Sequence, residues 1–243
     1  MQNKRAEREF FDNFVQQKEY DVFDERGYRR IIIEFNSLIE RGTGLDKILL
    51  DVGCGTGAFT RRLKNNKDLI LGVDISFNSV SLARKAMDEC IFFAGDGEIL
   101  PFGNETVDIV VFSGVLHHLP SMGRALEECF RILKPGGFFF AYDPNGVNPA
   151  MWLYRSSRSP LSTRKGWTEN ERLLYKREIC GALKDTGFSN VISKGISGVT
   201  YKYVGTAVGM KILKIYNFFD LLLERLGLAD RFGSFLISYG QKP

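Results

Sequence analysis

Ile48, Leu49, Leu50, Asp51 and Val52 run straight into three glycines at alternate positions, Gly53, Gly55 and Gly57, and no other stretch of the chain constrains its fold as tightly. The apolar run is too short for a helix and too continuous for a half-exposed strand, so it reads as a strand covered on both faces of a parallel sheet. The glycines remove every Cβ where the chain turns into its next helix. The backbone can then take positive φ, and a ligand can lie against bare N–H groups at a helix N-terminus.

Alternation of short apolar runs with amphipathic stretches continues downstream and predicts a doubly wound α/β sheet. Strands are expected at Lys47, Leu69, Ile91, Val107 and Gly137–Tyr142, in parallel. Helices are expected over 57–66, 77–89 and 121–133, with Pro135, Gly136 and Gly137 ending the last. Two further helices, over 7–17 and 25–41, precede the first strand as a lid or flank (residues 1–44), leaving 45–243 as the main domain. Thr168 and Glu171 read as a capping box opening a helix that carries Leu173, Leu174, Ile179 and Leu183 and stops at Gly187.

Asp74 ends the second strand, nineteen residues after Gly55, where a carboxylate can accept both hydroxyls of a ribose. The segments GDGEILPF (95–102), DIVVFSGVLHHL (108–119) and RILKPGG (131–137) follow in order. Together with DVGCGTG (51–57), they resemble the class I S-adenosylmethionine-dependent methyltransferases, in particular the branch acting on small molecules. The resemblance covers Leu45–Asn145 closely and the flanks weakly. It implies a Rossmann-like sheet of seven strands, with the sixth over 188–194 and an antiparallel seventh over 235–240.

The resemblance further implies that Gly53, Cys54, Gly55 and Gly57 pack against the methionine end of S-adenosylmethionine, with Asp51 near its amino group. Asp74 would hold the ribose, Ile75 would flank the adenine, Asp96 would accept from the adenine amino group beside Gly97, and Ser113 would line the cleft below the sulfonium. Tyr28 stands where related enzymes place an aromatic cover, and Phe10, Phe11 and Tyr20 decorate the same flank. Such a site needs acceptors for an ammonium and a diol but no phosphate cradle. Taken alone, Gly53, Gly55 and Ala58 also satisfy a loosened dinucleotide fingerprint, so an NAD-dependent oxidoreductase is the competing enzyme class. A protein that binds the cofactor without turnover is the third.

His117 and His118, the only histidines, follow the fourth strand, where the ligand crevice of a parallel sheet forms. Adjacent residues of an extended loop face opposite ways, so one of them is expected in the cleft. His118 is read as an acceptor-side group and candidate general base, and His117 and Asn145 as acceptor-binding candidates. Asn145 belongs equally to a turn built from Asp143, Pro144, Asn145 and Gly146. Ser113-Gly114-Val115-Leu116 stands where amide and adenine-amino methylating enzymes carry an NPPY-like tetrapeptide, and no Pro-Cys dipeptide offers cytosine C5 chemistry. A small metabolite, sugar or lipid-linked acceptor is the expected partner.

Composition adds limits. A net charge of +4 spread over 33 basic and 29 acidic residues gives no support for a nucleic-acid partner, and none is expected. Cys54, Cys90, Cys129 and Cys180 have no CxxC spacing, which predicts no metal and a reducing, cytoplasmic setting. The first twenty residues lack a signal-peptide core, and no run reaches a membrane span. Residues 203–228 form a helix apolar on most faces, with Lys211, Lys214, Asn217, Asp220, Glu224 and Arg225 as its polar stripe. A helix this apolar must bury several faces, as a cover packed on the domain, a dimer interface, a wall for a lipid-like acceptor or a surface that touches a membrane. This 203–230 insertion and the 146–166 loop are expected to cover the acceptor.

Overall fold

The computed structural model describes residues 4–17, 21, 23–39, 46–64, 68–155, 168, 170–202 and 207–243, with the side chains of 17, 154–155 and 207–214 outside the description. Seven strands form one sheet in the order β3-β2-β1-β4-β5-β7-β6. They are β1 (Ile48–Val52), β2 (Leu69–Asp74), β3 (Ile91–Ala94), β4 (Val107–Ser113), β5 (Leu133–Pro144), β6 (Ser189–Ile196) and β7 (Phe235–Gln241). The first five run parallel, and β7 is inserted antiparallel between β5 and β6. This is the seven-stranded Rossmann-like sheet that the resemblance implies.

Successive side chains of a strand point to opposite faces, and here both faces are covered. Leu49, Ile109, Val111 and Phe140 enter one apolar core with Ile31 and Phe35. Leu50, Val52, Val110 and Phe139 enter the other, with Leu126, Ile179 and Leu183.

The helices are α1 (Lys4–Phe14), α2 (Glu25–Leu38), α3 (Thr60–Leu63), α4 (Phe77–Ala86), α5 (Met122–Ile132), α6 (Pro149–Arg155), α7 (Lys176–Thr186), α8 (Ala207–Arg225) and α9 (Ala229–Phe232). Asp24, Ser76 and Ser121 cap α2, α4 and α5 by accepting from Gly27, Ser79 and Arg124 N–H.

Three expectations fail here for physical reasons. α5 ends at Ile132, before the Pro-Gly-Gly stretch, which instead lies inside β5 at a register shift opposite Val107 and Ile109. α3 is a single turn rather than a helix over 57–66, though residues 65–67 lie outside the described set. Thr168 caps nothing. α7 opens at Lys176 after Tyr175, while the Thr168 hydroxyl faces His118 Nδ1 at 3.1 Å and Leu174 bridges to Asn145 in extended chain.

α8 is seated by its polar side. Asp220, on the polar stripe, is 3% exposed and accepts from Gly198 N–H at 2.6 Å and Ser234 N–H at 3.2 Å. Asn217 donates to Tyr201 O, and Glu224 pairs with Arg30. Ile215, Phe218, Phe219, Leu221 and Leu226 are exposed, Phe218 at 63%. The helix is thus anchored by its polar side. Replacing Asp220 with Ala leaves two buried backbone donors unmatched and should cost about 2 kcal/mol, seen as a drop of about 6 °C in the thermal midpoint.

Candidate functional site

The C-terminal ends of β1, β2 and β4 open into a cavity of about 310 Å³, roofed by α1 and the start of α2. Gly53, Gly55 and Gly57 hold φ of 72°, 52° and 77° at the β1 turn. A Cβ on Gly53 would stand 2.6 Å from Val115 Cβ and one on Gly57 2.0 Å from Met87 Cε, whereas one on Gly55 meets nothing within 4 Å. Gly53 is therefore fixed by packing as well as by its φ, whereas at Gly57 the end of the flexible Met87 side chain could move and the φ of 77° alone demands glycine. Gly55, which lines the cavity, keeps space clear for a ligand.

Asp74 lies half-buried on the cavity wall. Its Oδ2 accepts from Gly55 N–H and its Oδ1 from Ser76 N–H, both at 2.8 Å, which ties the glycine turn to β2. Burial raises its pKa, against the pull of those two hydrogen bonds. Cys54, Ile75, Asp96, Gly97 and Ser113 line the same cavity. Burial likewise pushes the Cys54 thiol up, so it stays protonated.

Asp51 does not line the cavity. It lies behind Ser113, which donates to its Oδ1, while Thr60 donates to Oδ2 at 2.6 Å. With no exposed surface its pKa is pushed up to about 7, burial outweighing the two hydroxyls and Asp74 adding to the rise.

His117 and His118 sit not in an extended loop but in a 3₁₀ turn over Leu116–His118, and both imidazoles reach the cavity wall with ring centroids 4.1 Å apart. The expectation that only one faces the cleft is corrected, because a tight helical turn does not alternate its side chains as a strand does. His117 Nδ1 lies 2.8 Å from Asp143 Oδ1, and the same oxygen accepts His117 N–H. His118 contacts Thr168, Phe11 and Glu7.

Asn145 is also corrected. Its amide donates to Gly233 O at 2.8 Å and Arg231 O at 3.2 Å, fastening β5 to the turn before β7, outside the cavity wall. Tyr28 does reach the wall. Its hydroxyl donates to Asp21 at 2.5 Å and the Arg62 guanidinium lies 3.8 Å over its ring.

The roof carries residues the motifs did not flag. Lys4 grips Asp96 and Glu98 at 2.6 and 2.7 Å, and Asp12 accepts from Ser76 Oγ and Asn78 N–H. Glu7 accepts from Asn170 at 2.9 Å and is 6% exposed. Its signal was present: Glu7 precedes Phe10, Phe11 and Phe14 by three, four and seven residues, which places a charge on the apolar stripe of α1. Tyr20 lies outside the described residues. No residue of 146–153 or 215–230 lines the cavity, and the side chains of 154–155 and 207–214 and all of 156–167 and 203–206 are outside the description. Tyr201 and Phe235, flanking the insertion, line it instead. Among the described residues no cluster of His, Cys, Asp and Glu fits a metal ion, and no helix is long and apolar enough to cross a membrane.

Residues 50–141 match the model of a methyltransferase domain family. Over 211 residues the chain is 28% identical to an uncharacterised protein of Methanocaldococcus jannaschii, covering 79% of this chain and 80% of that one. A Mycolicibacterium smegmatis protein described as a probable S-adenosylmethionine-dependent methyltransferase is 30% identical over 120 residues. That match spans 49% of this chain and less than half, 46%, of the mycobacterial one. In three dimensions the chain is similar to a Thermotoga maritima methyltransferase described as a possible histamine N-methyltransferase, with TM-score 0.68 and 19% identity over 97% of this chain and 99% of that one. The glycine turn, the strand-end carboxylate and the sheet order agree with the matched region: residues 50–141 carry a methyltransferase domain of the S-adenosylmethionine-dependent kind, with S-adenosylmethionine as cofactor.

Proposed function

We propose that this chain methylates a small molecule whose nucleophilic atom carries a proton. In this reading Gly53, Cys54, Gly55 and Gly57 cradle the amino-acid end of the cofactor, with Asp51 behind Ser113 as the buried counter-charge. Asp74 serves the ribose, Ile75 and Gly97 flank the adenine, and Asp96 accepts from its amino group once Lys4 yields part of its grip. The cofactor supplies a methyl carbon activated by positive sulfur. The protein's part is then alignment, exclusion of water by the α1 roof, and acceptance of the nucleophile's proton. His118, on the wall after β4 and touching α1, is a candidate for that last task, with His117 held by Asp143 beside it. Four free cysteines fit a cytoplasmic setting.

The observation that carries the reading is the Gly55–Asp74 clasp on the cavity wall, which combines space for a ligand with a carboxylate aimed at it. Calorimetry with S-adenosylmethionine, S-adenosylhomocysteine and NADH tests it. Both sulfur nucleosides should bind the wild type and NADH should not. Asp74→Asn, shown folded by its melting curve, should weaken both about 30-fold, the loss of about 2 kcal/mol of charge-assisted hydrogen bonding. Binding of NADH in preference, or of none of the three, would sink the reading.

A further inference from the structure

We infer that the acceptor is an amine on an apolar or aromatic body, and that Glu7, carried by the α1 roof, holds and deprotonates its nitrogen together with His118. The inference rests on the methyltransferase reading above and deepens it.

Three observations converge. Glu7 is a buried carboxylate on the cavity wall with an unmet oxygen. Its Oε2 takes the Asn170 amide, but its Oε1 has no hydrogen bond. That oxygen lies 3.0 Å from His118 Nδ1, yet Nδ1 is aligned with the Thr168 hydroxyl instead. A buried carboxylate oxygen without a donor is costly to the empty protein and is satisfied by a ligand that brings one.

The charge of the described wall disfavours the opposite ligand class. Glu7, Asp74 and Asp96 line the cavity, and the single Lys or Arg among its described lining residues is Lys4, already held by Asp96 and Glu98. A carboxylate or phosphate on the acceptor would find no free cation among those described residues. An ammonium group finds negative charge.

Shape and surface complete the match. Nine aromatic side chains line the cavity, and Phe11 stands edge-on to His118 at 5.3 Å, beside Glu7. Rings shelter an apolar body and attract a cation through their faces. An alcohol would satisfy Oε1 as well, but it would bring no counter-charge to the buried Glu7 side chain, which is why the amine is favoured.

The chemistry balances with no added reagent. An acceptor R–NH3+ gives one proton to Glu7 Oε1, from which it can pass the 3.0 Å to the imidazole. The freed nitrogen lone pair forms the N–C bond to the methyl group as the C–S bond breaks and its electron pair stays on sulfur. The product is a methylated ammonium and a neutral thioether. Glu7 is a catalytic residue in this scheme because it touches the reacting nitrogen.

The test uses the full chain saturated with S-adenosylhomocysteine and three probes of matched body: 2-phenylethylamine, 2-phenylethanol and phenylacetate. Calorimetry should show the amine binding at least tenfold more tightly than the alcohol, with no heat from phenylacetate. Glu7→Gln should weaken the amine on the order of 30-fold while leaving S-adenosylhomocysteine unchanged. The selectivity series needs no variant, so a poorly folding mutant does not spare the idea. Equal binding of alcohol and amine, tighter binding of phenylacetate, no binding of the amine, or an unchanged amine affinity in Glu7→Gln each overturns it. Equal weakening of amine and S-adenosylhomocysteine also overturns it, by assigning Glu7 to the cofactor. Failure of S-adenosylhomocysteine to bind the wild type would instead overturn the methyltransferase reading itself.

Discussion

Replacing Gly53 with Ala should lower folding stability by about 3 kcal/mol and the thermal midpoint by about 9 °C. Two costs add. The residue holds φ of 72°, a left-handed conformation that costs a Cβ-bearing residue about 1–2 kcal/mol. The new methyl would stand 2.6 Å from Val115 Cβ and 2.9 Å from both its γ carbons, and overpacking of that kind costs about 1–3 kcal/mol. Against them stands the reduced freedom of the unfolded chain, worth about 0.4–1 kcal/mol. Val115 begins the segment that carries both histidines, so relief of the clash displaces the wall of the cavity. Gly55→Ala is the contrasting case. Its φ of 52° carries the conformational cost alone, with no neighbour within 4 Å, so the melting curve should move by a third as much while the methyl occupies ligand space. Melting curves and S-adenosylhomocysteine titrations on the two variants separate fold from binding. Equal destabilisation by both would contradict the packing argument.

Asp51→Asn should make the ligand-free protein more stable at pH 8 and remove part of its pH dependence. Burial lifts the wild-type carboxyl from 3.8 to about 7. Between those values the folded protein holds a proton that the unfolded chain has released, so stability is fully present below about pH 4 and is lost as pH rises towards 7. At 1.36 kcal/mol per unit the loss is at most about 4 kcal/mol. Burial also raises Asp74, Asp143 and Asp220, so the wild type alone cannot apportion the slope, but the difference between wild type and Asp51→Asn isolates this residue. With the cofactor's ammonium near Ser113, binding would expel the Asp51 proton. Affinity of the wild type should then rise by up to about tenfold per pH unit from 5 to 7 and stay flat in the variant. A wild-type midpoint that climbs from pH 5 to 7 relative to the variant would show the opposite shift.

Much of the framework was legible because its residues answer to local rules. The apolar strand ahead of three glycines, the carboxylate ending β2 and the order of the four motif segments depend on backbone geometry that few residue types allow. Other features answered to distant partners. Thr168 has the spacing of a helix cap, but His118 across the cavity takes its hydroxyl. Asn145 sits at a ligand-facing strand end, yet two carbonyls of the chain before β7 claim its amide. The histidine pair was misjudged because a 3₁₀ turn, not a strand, follows Gly114. Glu7 was visible in principle as a charge on an apolar stripe, but only the fold shows which cavity the stripe covers.

α8 carries a different consequence. Because Asn217, Asp220 and Glu224 hold it, the exposed Ile215, Phe218, Phe219 and Leu226 take little part in keeping the chain folded. Drift at those four positions is nearly free as far as folding is concerned, so whatever chemistry they keep over evolutionary time reports on the medium that surface meets rather than on the core beneath it.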